Sequence, residues 1–338
     1  MLSGTLTLDA VEIFLPERET TVEERAEAFG LNAAQTHLFR SIHGLDTLRY
    51  DPDLSLYDLV LPPARKILAD IDPGTVKYVV YPHAVPHAGP STVDPVQEML
   101  GMLGLEHATA FALTQQNCAG TVSAVDVAGR LLQADGDPDA RALILTGEKI
   151  FTRDLQIIFN SCVIGEAAGA CLLSWNGPGD PVRSFAVRTF GEYAAGVQMT
   201  GEQHRVAGAD RPRVMGELIE EAVREAGITF DDVDVIIPTH PNRTFWGQIA
   251  EDLKWPSGKL FLDNLPRYSH CLTADLMVNY VTLREEGRLV PGRHYLFLAT
   301  GIGSTFTAMV FTAAARDGGA GRSRTAVPAG TTTETEGR

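Results

Sequence analysis

The chain has 338 residues, of which 44% are hydrophobic and 21% are charged, a composition typical of a globular protein with a large core. Its formal net charge of −15 argues against a nucleic-acid binder, because a polyanion would be repelled before contact. No apolar run reaches the roughly 18 residues of a membrane span, and the N-terminus lacks the basic region of a signal peptide, so no membrane partner is expected. The 4 cysteines follow no disulfide-like or metal-like spacing, which predicts a reducing, cytoplasmic environment.

An internal repeat dominates the pattern along the chain. An amphipathic helix, a short turn and a β-rich strand that ends in a histidine occur once in each half, and a second strand follows later in each half. Strands that alternate with helices predict sheets covered by helices on their faces. The matching segments are 61–83 with 217–240, and 141–147 with 294–301.

Cys118 lies between the two repeated strands of the first half. It follows an apolar run at 108–113 and precedes a small-residue stretch at 119–129, a pattern that predicts a strand turning sharply into a helix. At a helix N-terminus the unpaired N–H groups and the dipole favour an anion, so the thiol is biased toward thiolate. Cys118 is therefore a candidate nucleophile for acyl chemistry. The alternative is a small buried apolar residue, a common environment for free cysteine.

The second half repeats this arrangement around residues 259–275, where His270 falls opposite Cys118. Turn formers at 174–181 predict the boundary between a half at 1–175, which carries the nucleophile, and a half at 176–316, which carries the histidines. The remaining residues cannot bury a core, so a disordered tail is predicted at 317–338.

These segments together resemble the thiolase-fold condensing enzymes, and most closely the β-ketoacyl-ACP synthase III type. The resemblance spans nearly everything before the tail and rests on several motifs in the family's order over an internal duplication. They are a cysteine motif at 115–120, a glycine-rich finger at 163–173, a histidine motif at 238–243 and a final glycine turn at 300–306.

This resemblance implies an α/β fold of the five-layer αβαβα thiolase type with two pseudo-symmetric halves. It also implies a homodimer, paired through an extended central sheet. The donor would be an acyl thioester of coenzyme A or of an acyl carrier protein, used as a substrate, with no permanently bound cofactor and no metal.

The most informative departure from the family is TyrSerHis at 268–270, where decarboxylating members have TyrGlyAsn. His270 thus replaces an asparagine that helps to hold a malonyl thioester as it loses carbon dioxide. Asp275 follows at a distance that a loop and a first helical turn would bridge. A histidine oriented by a carboxylate and facing a thiolate is the arrangement of acyl-transfer triads, and it resembles the family's acyltransferase branch from natural-product pathways. The alternatives are a capping or packed histidine and a solvated aspartate.

His240 matches the family's motif histidine, although ProAsn follows it where the family has GlnAlaAsn. The resemblance implies a role in the site, and we expect His240 to position the substrate or another residue. Strand-end packing is the alternative. Asn242 lies at a shorter spacing than in the family, so the orientation of its side chain is left open.

The final glycine turn implies that the backbone N–H groups of Cys118 and Ser304 form an oxyanion hole. The alternative is that residues 301–304 only form a tight turn between two strands.

Arg40 and Arg153 lie in stretches like those beside the coenzyme A nucleotide in the family, where a guanidinium suits phosphates and purines. The alternative is that each is an ordinary surface arginine. A cluster of charged residues at 204–213 is expected to be a solvated loop, with a basic tunnel mouth as the alternative.

The sequence therefore predicts an acyltransferase with a ping-pong route. Cys118 takes the acyl group, and His270, held by Asp275, then deprotonates a small-molecule hydroxyl or carrier acceptor in secondary metabolism, such as a sugar or polyketide hydroxyl in antibiotic biosynthesis. One rival is a decarboxylating synthase that uses Cys118, His240 and His270. Another is a non-catalytic subunit of a thiolase-fold heterodimer, against which the retention of all four side chains argues.

Overall fold

The computed structural model describes residues 4–85, 88–90, 92–151, 153–158, 160–256, 258–302 and 305–315. The predicted tail at 317–338 lies outside these residues, and its disorder stays a prediction. The strands are β1 Leu6–Phe14, β2 Glu19–Thr21, β3 Thr47–Arg49, β4 Val76–Pro82, β5 Thr109–Leu113, β6 Arg141–Gly147, β7 Ile157–Ile158, β8 Cys162–Val163, β9 Ala168–Trp175, β10 Asp180–Thr189, β11 Val233–Pro238, β12 His294–Thr300 and β13 Thr305–Thr312.

The α-helices begin and end as follows: α1 Ala26–Phe29, α2 Ala33–His37, α3 Leu56–Leu68, α4 Pro95–Leu103, α5 Gly120–Asp135, α6 Arg153–Gln156, α7 Gly201–Glu225, α8 Arg243–Asp252, α9 Leu265–Tyr268 and α10 Asp275–Glu285. Short 3₁₀ turns precede both α5 and α10, at Asn117–Ala119 and Leu272–Ala274. Within the described residues, no helix is long and apolar enough to cross a membrane.

Nine of the strands form two main sheets of similar topology, and β2 with β3 and β7 with β8 form two small antiparallel pairs. The first has the order β5-β4-β6-β9-β1, with β4, β5 and β6 parallel and β9 antiparallel to both β6 and β1. The second has the order β11-β12-β13-β10, with one parallel pair where the first sheet has two, followed by antiparallel pairs. A short antiparallel contact between β1 and β10 joins them edge to edge. The repeat in the sequence thus corresponds to a repeat in strand order.

Helices cover both faces of each sheet and give five layers. Helices α3 and α4 pack on the outer face of the first sheet, and α7 and α8 pack on the outer face of the second. Between the sheets lie α5 and α10, whose side chains share one apolar core with strands of both. Every residue of α10 from Asp275 to Leu283 is buried, as expected for a helix enclosed on all sides. The predicted αβαβα thiolase fold is confirmed.

The predicted boundary at 174–181 falls between β9, which ends at Trp175, and β10, which begins at Asp180. The first sheet takes its strands from residues before this point and the second takes them from residues after it. The two central helices belong to different halves, and their N-terminal turns meet in the middle of the molecule. Thr121 on α5 donates a hydrogen bond of 2.6 Å to the carbonyl of Thr273, just before α10.

Candidate active site

Cys118 lies in the 3₁₀ turn at Asn117–Ala119 that leads directly into α5, at the strand-to-helix junction that the sequence predicts. The turn is tight, because Gln115 and Asn117 both have positive φ, at 69° and 50°. Gly301 packs against this turn so closely that a Cβ there would lie 2.3 Å from the carbonyl oxygen of Gln116. The glycine turn of the second half therefore supports the backbone that carries Cys118.

His270 lies on the matching turn of the second half. Ser269, directly before it, has a φ of 56°. The backbone N–H of His270 donates to the carbonyl of Val163 at 3.1 Å, and the N–H of Gly165 donates to the carbonyl of His270 at 2.9 Å. A Cβ on Gly165 would lie 2.5 Å from the carbonyl oxygen of Tyr268, so only glycine fits here. The glycine-rich finger thus holds the histidine loop through backbone contacts.

Cys118, His270 and Asp275 form a continuous hydrogen-bonded chain. Cys118 Sγ lies 3.1 Å from His270 Nε2, and His270 Nδ1 lies 2.5 Å from Asp275 Oδ2. All three residues are no more than 3% exposed, so these contacts are shielded from bulk solvent. Asp275 is the first residue of α10, and the intervening turn bridges the spacing from His270. The structure therefore brings together the three residues of the predicted triad.

Backbone donors fix the carboxylate of Asp275. The N–H of His240 donates to Oδ2 at 2.6 Å, and the N–H of Cys271 donates to Oδ1 at 2.7 Å. Burial alone would raise the pKa of Asp275, but the positive charge and hydrogen bond of His270, with the N–H of Cys271, hold that pKa below its ordinary value. Asp275 therefore stays ionised beside the imidazole.

The charges around His270 favour its protonated form. Burial by itself lowers the pKa of His270, but the negative charges of Asp275 and Cys118 and their hydrogen bonds raise it well above its ordinary value. An imidazolium beside the Asp275 carboxylate is the consequence, and its Nε2 lies 3.1 Å from Cys118 Sγ. A positive charge at this distance assists a sulfur nucleophile.

His240 contributes its backbone to the site, while its ring is turned to other partners. The amide of Asn279 donates to His240 Nε2 at 3.0 Å and to the carbonyl of Pro238 at 2.9 Å. Its orientation is set because Asn279 Oδ1 accepts a hydrogen bond from Asn264. Burial lowers the pKa of His240, which favours a neutral ring, and its Nε2 lies between the Asn279 amide and, at 3.3 Å, the carbonyl oxygen of Phe261. Through its N–H, His240 positions Asp275.

The other predicted binding residues are less closely tied to the triad. Arg40 donates to Asp46 at 2.5 Å and also pairs with Glu23, so carboxylates already engage its guanidinium. Arg153 begins α6, and its side chain lies outside the described part of the structure. Ser304 also lies outside the described residues, so its place in an oxyanion hole stays a prediction. The role of Arg40 in donor binding likewise stays a prediction.

A cavity of about 420 Å³ opens onto Cys118 and His270. Its walls are mostly apolar and come from both halves of the chain, as suits an acyl chain. Cys162 also lines this cavity, and burial raises the pKa of its thiol to about 11. The apolar wall includes Ile158, Phe190, Met199, Val214, Ile302 and Phe306.

One expectation about this cavity was wrong. Residues 204–213 are not a solvated loop but part of α7, and Arg211 from this segment lines the cavity. Thr200 and Gln203 form a capping box that starts the helix, and this pair was the available signal in the sequence.

The structure settles the orientation of the Asn242 side chain, which the sequence left open. Its side chain caps α8 by accepting from the N–H of Phe245 at 2.7 Å, and it donates to Ser161 Oγ at 2.9 Å. It therefore fixes Ser161 and Phe245, which line a cleft beside α8. Asn242 is not among the residues that line the cavity at Cys118.

Known proteins resemble this chain in sequence and in fold. Residues 223–313 match the family described as 3-oxoacyl-[acyl-carrier-protein (ACP)] synthase III C terminal. A β-ketoacyl-[acyl-carrier-protein] synthase III of Nitratidesulfovibrio vulgaris is 26% identical over 280 residues, which cover 74% of this chain and 81% of that protein. The corresponding protein of Deinococcus deserti is 26% identical over 315 residues, covering 86% of this chain and 81% of that one.

Solved structures extend the likeness over most of the fold. ChlB3, described as an acyltransferase, has a TM-score of 0.78 and 21% identity, covering 92% of this chain and 98% of that one. FabH of Pseudomonas aeruginosa has a TM-score of 0.74 and 17% identity, covering 92% and 99%. The chain therefore shares its fold with these solved structures, and its sequence is similar to β-ketoacyl-[acyl-carrier-protein] synthase III proteins over most of its length.

Proposed function

We propose that the protein is an acyltransferase that moves an acyl group from a thioester, through an acyl-enzyme on Cys118, to a hydroxyl or carrier acceptor. The observation that carries this proposal is the chain of contacts from Cys118 to His270 to Asp275. The relatives are named β-ketoacyl-[acyl-carrier-protein] synthase III and 3-oxoacyl-(acyl carrier protein) synthase III, and these names support the acyl-thioester chemistry.

In the first step the Cys118 thiolate attacks the thioester carbonyl and forms a tetrahedral intermediate. Collapse of this intermediate breaks the bond to the leaving thiol, which takes the proton from His270 Nε2. The products are the acyl-enzyme, a free thiol and a neutral His270. Backbone N–H groups at Cys118 and Ser304 are our candidates to stabilise the oxyanion.

Acylation itself prepares His270 for the second step. The charge of Cys118 and its hydrogen bond are among the causes that raise the pKa of His270, and a thioester supplies neither. Burial, which lowers that pKa, stays in place. The pKa of His270 therefore falls when the enzyme is acylated, and the ring becomes a general base.

In the second step His270 removes the proton of the acceptor hydroxyl as its oxygen attacks the acyl carbonyl. The Cys118 thiolate leaves, and the carboxylate of Asp275 stabilises the imidazolium that forms. The starting ion pair is restored. No further co-reactant is needed.

A decarboxylating synthase is the second candidate, favoured by the names of the curated relatives. It would use His240 together with Cys118 and His270. The ring of His240 is hydrogen-bonded to Asn279, and His240 is not one of the described residues that line the cavity. This arrangement favours transfer over condensation.

The wider setting is part of the same proposal. Coenzyme A or an acyl carrier protein delivers the donor, with Arg40 and Arg153 as candidate contacts, and the protein is cytoplasmic. We also propose a homodimer, because β5 lies at the edge of the first sheet with Thr109 and Ala112 exposed. A natural-product pathway is inferred from the resemblance of the triad to the acyltransferase branch.

Intact-protein mass spectrometry tests the acyl-enzyme. Incubation with a panel of acyl-coenzyme A thioesters is expected to add one acyl mass to the protein and none to Cys118→Ala. Acylation of the Cys118→Ala variant would exclude this nucleophile.

Labelled malonyl thioester then separates the two candidate functions. When it is added to the acylated enzyme, transfer chemistry releases no labelled carbon dioxide. Its release together with a new carbon–carbon bond would replace the acyltransferase proposal with the condensing one.

A further inference from the structure

Arg211 stands between the catalytic cavity and a second cleft. This cleft, of about 350 Å³, lies between α7 and α8 and shares Ser161, Arg211 and Phe245 with the cavity that contains Cys118. We call these three shared residues the junction. Because the cavity and the cleft both reach the junction, a long substrate that occupies both has to pass Arg211.

The guanidinium of Arg211 has no acidic partner among the residues that the structure describes, unlike its neighbours on α7. Arg205 pairs with Glu202 at 2.6 Å, and Arg213 pairs with Asp210 at 2.7 Å. Asp210 also lines the cavity, but Arg213 engages both of its oxygens. Asp252 also lines the cleft, where it accepts a hydrogen bond from Gln248. Among the described residues, no carboxylate therefore forms an ion pair with Arg211.

The surroundings of Arg211 withdraw it from water. Its guanidinium carbon lies 4.8 Å from the centre of the Phe245 ring, as in a cation–π contact. Burial lowers the pKa of Arg211, yet a guanidinium stays charged in proteins. A partly desolvated cation loses free energy unless an anion compensates it, so the junction favours a negatively charged ligand.

The wall of the junction has a fixed geometry. Asn242 accepts from the N–H of Phe245 and donates both to the carbonyl of Ser161 at 3.0 Å and to its hydroxyl at 2.9 Å. One side chain thus sets the positions of the other two junction residues. The ring below the guanidinium is held in place, which limits the entropy lost when Arg211 binds a ligand.

We propose that Arg211 selects thioester donors that carry an anionic group at the junction. The anion is a phosphate on the pantetheine arm or a carboxylate on the acyl group, and a guanidinium binds the oxygens of either through two parallel N–H donors. This inference rests on the proposed function and deepens it by naming the class of donor.

Titration calorimetry in a Cys118→Ala background tests the inference without any acyl transfer. Two pairs of probes are compared: pantetheine 4′-phosphate with pantetheine, and S-glutaryl-pantetheine with S-butyryl-pantetheine. Adding Arg211→Gln is expected to weaken binding of the charged member of one pair by about 10-fold to 100-fold, with the neutral member unchanged. The affected pair identifies the anion as phosphate or carboxylate.

Two further variants guard the interpretation. Arg205→Gln, on the same helix but exposed and paired, is expected to change no affinity, and Arg211→Lys is expected to retain part of the preference for the charged probe. Equal effects of Arg211→Gln on charged and neutral probes, or no binding of either charged probe, would overturn the inference. Since no probe needs to acylate the protein, these outcomes are independent of whether an acyl-enzyme forms.

Discussion

Cys118 Sγ lies 3.1 Å from His270 Nε2, and each of these two residues directly follows a residue with positive φ. Such conformations cost about 1–3 kcal/mol in a residue other than glycine, and they persist only where the surrounding structure enforces them. Here Gly301 packs on one turn and Gly165 on the other. The two halves therefore stabilise each other's strained turns and bring thiol and imidazole together.

The carboxylate of Asp275 is expected to be essential for transfer from the acyl-enzyme. In Asp275→Asn an amide N–H₂ replaces one oxygen and faces the N–H donor of His240 or of Cys271. The imidazolium also loses its counter-charge, so transfer should slow by about 100-fold to 10,000-fold. Decay of the acyl mass on a preformed acyl-enzyme, with a panel of alcohols present, measures this rate.

Asp263→Asn is the matched control, because Asp263 is exposed and pairs with Arg288. It should leave the decay unchanged. Similar rates for Asp275→Asn and Asp263→Asn would show that His270 acts without the carboxylate.

The two half-reactions should respond differently to pH. Asp275 and Cys118 raise the pKa of His270 well above its ordinary value before acylation, so acylation should stay level across the neutral range. After acylation the pKa of His270 is lower, and transfer needs the neutral base. Transfer should therefore increase with pH up to that lower pKa and then level off. Rapid-quench measurement of each step gives the two profiles, and coinciding profiles would contradict the proposed change at His270.

The sequence predicts much of this arrangement, and the reasons for its failures are local. The duplicated helix–strand pattern predicts sheets covered by helices, because each element follows from apolar periodicity, and the resemblance to the thiolase-fold enzymes implies the five layers. The contact between His270 and Asp275 depends on positive φ at Ser269 and Leu272. Serine and leucine seldom adopt positive φ, so the residue types do not predict this backbone conformation. Arg211 was misplaced because Pro212 and the surrounding charges suggest a loop. The helix continues because its next turns bury an apolar stripe on the second sheet.

Gly165→Ala should impair both stability and activity. Its Cβ would lie 2.5 Å from the carbonyl oxygen of Tyr268, so the loop that carries His270 must shift. We expect a loss of about 1–3 kcal/mol in the free energy of unfolding, as for other overpacked sites, together with slower acylation. Thermal unfolding and acyl-mass kinetics measure the two effects. Gly101→Ala, where a Cβ meets nothing within 4 Å, should show neither effect, and an active, stable Gly165→Ala protein would mean that the finger does not position His270.

Alkylation should separate the two cysteines that face the cavity. Burial, as the leading cause, raises the pKa of Cys162 to about 11, so near pH 7.5 it is a thiol and reacts slowly. Cys118 instead contacts a protonated His270, which favours its reactive thiolate. Iodoacetamide is therefore expected to add one group, located on Cys118 by peptide mapping. Cys118→Ala should lose this fast adduct, whereas Cys162→Ala should keep it at the same rate. Fast labelling of Cys162 in the Cys118→Ala protein would show that the cavity activates any thiol within it, and that contact with His270 is not the cause.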